Sequence, residues 1–147
     1  MEKSLRARAL DALARREHSR VEMSRKLSAH SADEDEVAQL LDDLEARGWL
    51  SDARYAEQIA HARQSRYGSR KIAYELREQG VAEALVEVAL ETLKTTELER
   101  ARTVWMKKFG VAAVTAKERA QQARFMQMRG FDPQVIYRLL NSRDEAD

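Results

Sequence analysis

The sequence predicts an all-α protein made of three tandem three-helix repeats in an elongated, slightly curved array. Three observations carry that prediction. The chain of 147 residues has five glycines, one proline and no cysteine. Turn formers are too few for an all-β fold, and without thiols there is neither a disulfide framework nor a Cys-based zinc site. Four of the glycines (Gly48, Gly80, Gly110 and Gly130) each close a segment whose apolar residues recur at helical spacing. Finally, the apolar pattern itself recurs about every fifty residues.

Taken in order, the helices are expected at 3–16, 20–29, 33–47, 52–66, 69–79, 82–93, 97–109, 115–129 and 133–142. Ser19 with Glu22, Thr96 with Glu99 and Thr115 with Glu118 have capping-box spacing at helix starts. Asp132 followed by Pro133 reads as an N-cap with proline at the first helical position. The closing glycines occupy the position after the last turn, where a left-handed residue ends a helix. The acids Asp33, Glu34, Asp35 and Glu36 suit the first turn of helix 33–47, where negative charge favours the dipole.

The repeat emerges when Ser31, Gly80 and Gly130 are aligned, 49 and 50 residues apart. Four positions earlier stand Leu27, Leu76 and Met126. Six later stand Val37, Val86 and Ile136. Nine later come Leu40, Ala89 and Leu139, and ten later Leu41, Leu90 and Leu140. Positions i, i+3 and i+4 form one helix face, and this face returns in every set. The repeats are placed at 1–51, 52–94 and 95–147. A unit that small buries little apolar surface alone, so stacking against a neighbour is expected.

The 26 Lys and Arg nearly cancel the 25 Asp and Glu, yet the charges are segregated. Residues 1–52 carry net −3, 53–94 net +1 and 95–147 net +3. Residues 33–45 hold seven acids and no base, whereas 61–77 hold five bases against Glu75 alone. Such a field orients the chain toward a polyanion or an acidic groove, unless it is simply a solvated helical surface. No apolar run reaches the length of a membrane span, and the first residues lack the apolar stretch of a secretory signal. A cytoplasmic protein without membrane association is therefore expected.

Catalysis finds no support. His18, His30 and His61 lack metal-ligand spacing, every glycine stands alone, and no nucleophile motif is present. No enzyme activity, metal or cofactor is expected. Trp49, Trp105, Phe109, Phe125, Phe131 and Tyr137 fall on apolar faces or just after closing glycines and read as core. Tyr67 lies at a helix junction inside the basic window, either packed with its hydroxyl at the surface or placed to stack on a base or anchor a partner. Arg63 and Arg66, three apart, share one helix face, and Arg70 and Arg77, seven apart, share another. Two helices joined by the Gly68-Ser69 turn have the form of a helix-turn-helix. The candidate contact residues are Arg63, Arg66, Tyr67, Arg70, Lys71 and Arg77.

The stretch GWLSDARYA (48–56) followed by GSRKIAYELREQGV (68–81) resembles the RecX family, regulators of the RecA recombinase. The matching residues are Gly48, Trp49, Asp52, Arg54, Tyr55, Ala56, Gly68, Lys71, Ile72, Glu75, Leu76, Gly80 and Val81. RREHSRVEMSRKL (15–27) and FMQMRGFD (125–132) are also similar to family segments, so the likeness runs along nearly the whole chain. The resemblance implies a tandem three-helix architecture. It also implies a monomer that binds RecA and lies in the groove of the RecA–single-stranded DNA filament. There it would inhibit ATP hydrolysis, strand exchange and co-protease activity, with consequences for homologous recombination, DNA repair and the SOS response. The basic window would face either acidic RecA surface or DNA phosphates. Direct nucleic-acid binding without RecA is the alternative.

Overall fold

The computed structural model describes residues 2–145, with side chains described through residue 141. The outer edges of the first and third expected repeats, residue 1 and residues 146–147, lie outside the described residues. Among the described residues there are eight helices and no strand: α1 (Leu5–Arg15), α2 (Arg20–Ser28), α3 (Glu34–Ala46), α4 (Asp52–Arg63), α5 (Ser69–Glu78), α6 (Glu83–Lys108), α7 (Ala116–Met128) and α8 (Pro133–Glu145). No described helix is long and apolar enough to cross a membrane.

Most starts follow the local signals. Ser19 Oγ accepts from the Glu22 N–H, and Thr115 Oγ1 from the Glu118 N–H. Asp33 Oδ1 accepts from the Asp35 and Glu36 N–H groups, so the acidic run serves its own helix start. Gly48, Gly80, Gly110 and Gly130 all have left-handed backbone.

One expected break is absent. Segments 82–93 and 97–109 form the single 26-residue helix α6, and Thr96 is not a cap. Neither glycine nor proline interrupts this span, and its threonines bond back within the helix. Thr95 Oγ1 donates to the Thr92 carbonyl at 2.8 Å, and Thr96 Oγ1 to that of Leu93 at 3.3 Å. The buried stripe Leu90, Leu93, Glu97, Ala101, Val104 and Trp105 keeps helical spacing across the expected boundary.

The aligned apolar positions prove to be core, except that Leu40 and Leu140 are only partly buried against it. Leu27, Leu76 and Met126 are each 0% exposed, and Val37, Val86 and Ile136 are all buried. The chain divides into two compact units, one holding residues through Gln58 together with Leu76–Val86, the other Ile59–Glu75 and Glu87 onward. In the first, Ala9, Ala12, Met23, Leu27, Val37, Leu41, Leu44 and Leu50 form the core. Residues of α4 secure its α1–α2 turn. Asp52 Oδ1 accepts from the Arg20 N–H at 2.7 Å, and Gln58 Oε1 from the Glu17 N–H at 3.1 Å. Arg54 donates to Glu17 Oε1 and to the Gly48 carbonyl. Asp52 and Arg54 of the GWLSDARYA motif are thus structural ties.

In the second unit, Ala101, Val104, Trp105, Met126, Phe131, Ile136 and Leu139 form the core. Trp105 Nε1–H donates to Gln122 Oε1 at 2.9 Å, and the amide of Gln122 reaches the Val111 carbonyl at 3.0 Å. This pairs the buried indole and ties the α6–α7 loop.

Each unit contains the same joint. A methyl at Gly80 would overlap Val21 in the first turn of α2, and a methyl at Gly130 would overlap Lys71 in the first turn of α5. Both glycines and both partners stand 50 residues apart. Two aromatic residues depart from expectation. Trp49 is 44% exposed and Tyr137 70% exposed, so neither is core. The Trp49 ring lies under the guanidinium groups of Arg47 and Arg6, and Leu50 takes the buried place beside it.

Candidate partner-binding site

In the second unit, the α4–α5 turn docks on the α7–α8 turn. Gly68 makes the approach possible, because a Cβ there would come 2.5 Å from the Gly130 carbonyl and the Phe131 nitrogen. The Gly68 N–H donates to the Arg129 carbonyl at 2.9 Å, and the Arg70 N–H to that of Gly130 at 3.0 Å. The Ser69 N–H donates to the buried Glu97 Oε1 at 2.6 Å. Donors at the start of α5 that lack intrahelical acceptors are therefore met by other elements.

One turn along α6, Arg100 satisfies the acceptors. Its guanidinium donates to the Gln64, Tyr67 and Leu93 carbonyls at 2.9–3.0 Å. Burial pushes the Arg100 guanidinium below its ordinary pKa, with the Glu97 charge opposing the shift. A carboxylate on the N–H groups and a guanidinium on the carbonyls thus hold the turn from both sides.

On this support stands a ladder of alternating cations and rings. The Lys71 ammonium lies 4.6 Å from the Tyr67 ring centroid, and the Arg129 guanidinium 5.6 Å from it. Arg129 also lies 5.1 Å from the Phe125 ring, which Lys108 approaches at 5.3 Å. Phe125 in turn meets Phe109 edge-on at 5.4 Å. Arg129 Nη1 donates to the Arg66 carbonyl, fixing the central cation to the turn. The rings' quadrupoles offset part of the repulsion among the cations.

Beside the ladder opens a cup of about 340 Å³, lined by Arg66, Val104, Lys107, Lys108, Phe125 and Arg129. Among the described residues, none of Arg66, Lys71, Lys107, Lys108 and Arg129 has a carboxylate within ion-pair distance. Elsewhere Arg6, Arg16, Arg20, Arg47 and Arg54 all do, at 2.5–3.0 Å.

Of the six candidates read from the sequence, Arg66, Tyr67 and Lys71 join this cluster. Arg66 does so from the turn, because α4 ends at Arg63; the two do not share a helix face. Arg63 is paired with Glu75 at 3.1 Å. Arg70 is exposed, with Asp132 at 3.8 Å. Arg77 belongs to the other unit, where it holds Glu83 through two bonds of 2.6 and 2.9 Å. Lys107, Lys108 and Arg129 were not among the candidates, and Phe125 was read as core. The signals on them were the net positive charge of residues 95–147 and, for Phe125 and Arg129, the FMQMRGFD segment.

The described residues thus form a helical repeat protein whose docked turns carry a cationic face without nearby carboxylates. Models of the RecX first, second and third three-helix domains match residues 6–44, 51–90 and 95–140. The chain is 46% identical over 141 residues to the regulatory protein RecX of Leptothrix cholodnii, covering 96% of this chain and 90% of that one. It is likewise 46% identical over 142 residues to the regulatory protein RecX of Ralstonia nicotianae, covering 96% and 89%. The crystal structure of RecX from Lactobacillus salivarius shares the fold with a TM-score of 0.82 at 18% identity, over 96% of this chain and 95% of that one. The chain belongs to the RecX family of regulatory proteins.

Proposed function

We propose that this chain is a non-enzymatic regulator that binds RecA and lies in the groove of the RecA–single-stranded DNA filament. In this reading it inhibits the filament's ATPase, strand-exchange and co-protease activities, and so regulates homologous recombination, DNA repair and the SOS response. It acts in the cytoplasm as a monomer, without cofactor. The three repeats, 1–51, 52–94 and 95–147, give it several contact segments, and contacts to neighbouring protomers reinforce one another through effective concentration.

The observation that carries this reading is the cationic ladder on the docked turns. Three cations, Lys71, Lys108 and Arg129, lie on its rings, Arg66 and Lys107 line the cup beside it, none of the five has a carboxylate within ion-pair distance among the described residues, and Arg70 extends the surface. Like charges held together repel one another, so the arrangement favours an anionic partner. Family membership supports a regulatory role.

The test is ATP hydrolysis by RecA on single-stranded DNA, titrated with this protein at substoichiometric levels. Inhibition is expected, and reversal of charge at Arg66 and Arg70 (R66E with R70E) is expected to weaken it while helix content is unchanged. Undiminished inhibition by that variant removes this face from the RecA contact. The second reading, a regulator that binds nucleic acid directly, draws on the same five cations. Strong, salt-sensitive binding to DNA without RecA, with no effect on RecA, favours it.

A further inference from the structure

We infer that Trp49, with Arg6 and Arg47, forms a protein-docking site in the first unit, and that it takes a partner surface presenting a carboxylate beside an aliphatic side chain. The inference goes beyond the role given to the ladder, and takes from the proposed function only RecA as the protein probe.

Trp49 follows the left-handed Gly48 past the end of α3, and its N–H donates to the Leu44 carbonyl at 2.9 Å. The chain turns there so that Leu50, not Trp49, enters the core. The indole is left exposed, yet it is braced. The Arg47 guanidinium lies 5.3 Å from its ring centroid and that of Arg6 lies 5.9 Å from it. One carboxylate positions both cations. Asp43 Oδ2 accepts from Arg6 Nη2 at 2.7 Å and from Arg47 Nε at 3.0 Å. The bond from Arg6, aided by that from Arg47, holds the Asp43 carboxyl below its ordinary pKa, so the clamp stays charged. Trp and Arg are the residue types that dominate tight protein contacts. An anchor braced before contact also loses less entropy on binding.

Charge defines the partner. Two guanidinium groups share one carboxylate, which leaves one positive charge over. Arg47 spends Nε on Asp43, and among the described residues no bond takes its two terminal nitrogens. That open fork suits one further carboxylate. Leu10, one turn beyond Arg6 on the same face of α1, is also exposed and supplies apolar surface for an aliphatic neighbour. A phosphate strand fits poorly. The seven acids of residues 33–45 belong to this unit and repel a polyanion, whereas a single partner carboxylate matches the single surplus charge.

The test measures the affinity of the full chain for RecA filaments on single-stranded DNA, and for an oligodeoxythymidine without RecA. R6Q/R47Q removes both cations. Exposed ion pairs add little stability, so its helix content and melting temperature should hold. W49A removes the anchor, and W49F keeps an aromatic ring. R6Q/R47Q and W49A should each lose at least about tenfold in filament affinity, and W49F less. All three should bind the oligonucleotide as the unaltered chain does. Retained filament affinity in R6Q/R47Q overturns the inference. So does an equal loss for the free oligonucleotide, which would make the site a polyanion contact. If the unaltered chain does not bind filaments, the proposed function fails and a peptide decides the site. Of the two tryptophans Trp105 is buried, so Trp49 reports on surface binding. The peptide Leu-Glu-Glu-Leu should change Trp49 emission in a saturable way and Leu-Gln-Gln-Leu should not; equal responses overturn the inference.

Discussion

Gly48 and Gly130 share a left-handed backbone but have different surroundings. A Cβ at Gly48 would meet nothing within 4 Å, whereas one at Gly130 would lie 2.6 Å from the Lys71 nitrogen and 2.9 Å from its Cα. Gly48→Ala should therefore cost only the strain of a left-handed alanine, about 1–2 kcal/mol. Gly130→Ala should cost that plus the displacement of α5, more than about 3 kcal/mol. Urea unfolding of the two variants checks the difference; equal losses would remove the docking contribution. His18 yields a second expectation. Its ring is buried, Nδ1 lies 3.0 Å from the Arg16 carbonyl, and Nε2 has no partner among the described residues. Burial holds its pKa below the ordinary value, with the bond to the Arg16 carbonyl and the Glu22 charge opposing the shift and the Arg16 and Lys26 charges reinforcing it. The folded protein thus binds fewer protons here than the unfolded chain, so stability rises with pH and is full above about 6.5. As pH falls below about 6.5, stability should decline by up to about 1.4 kcal/mol per unit until His18 protonates in the folded state. In urea midpoints taken across that range, His18→Gln should flatten this part of the acid limb.

At the scale of elements, legibility follows how local the cause is. The closing glycines and the caps at Ser19, Asp33 and Thr115 act within a turn of their own residues, and the sequence displays them directly. The continuity of α6 was hidden because Thr96 and Glu99 have the spacing of a capping box, while the hydroxyl of Thr96 in fact bonds backward. At Gly68 the turn was legible but the docking was not, for a different reason. Its backbone is ordinary, and its smallness matters only because residues 130–131, over sixty positions away, lie against it. Glu97 and Arg100 look like solvated charges on a helix. Their work on the α4–α5 turn depends on an approach that periodicity does not encode. Glu97→Ala should leave the Ser69 N–H without an acceptor in a buried place, costing about 1–3 kcal/mol. Amide exchange should then rise in the first turn of α5 more than in α2, and uniform change along the chain would argue against a capping role.

Across the whole molecule, the segregated charge of the sequence has a structural counterpart. Carboxylates accompany many arginines, but among the described residues Arg66, Lys71, Lys107, Lys108 and Arg129 have none within ion-pair distance, and three of these cations lie on the rings of Tyr67 and Phe125. This concentration was only partly visible. The basic window supplied Arg66, Tyr67 and Lys71, while the other members come from the end of α6 and from α7, brought in by the docking of two turns. The aromatic residues were misjudged where a ring is exposed, as at Trp49 and Tyr137. RecA inhibition should weaken at high salt for the unaltered chain and be less salt-sensitive in the Arg66 and Arg70 charge reversal, as ATPase titrations at two ionic strengths would reveal.

The paired glycine joints bear on how such a chain can change its length. Gly80 faces a valine and Gly130 a lysine, yet each fit depends on the hydrogen atom where a side chain would begin. A contact specified by an omission places little demand on the chemistry of its neighbour. Duplication or loss of one fifty-residue segment would preserve the fit wherever a glycine meets the first turn of the preceding second helix. Gene duplication can therefore extend this architecture without inventing a new interface, while the surfaces away from the joints diverge toward different partners.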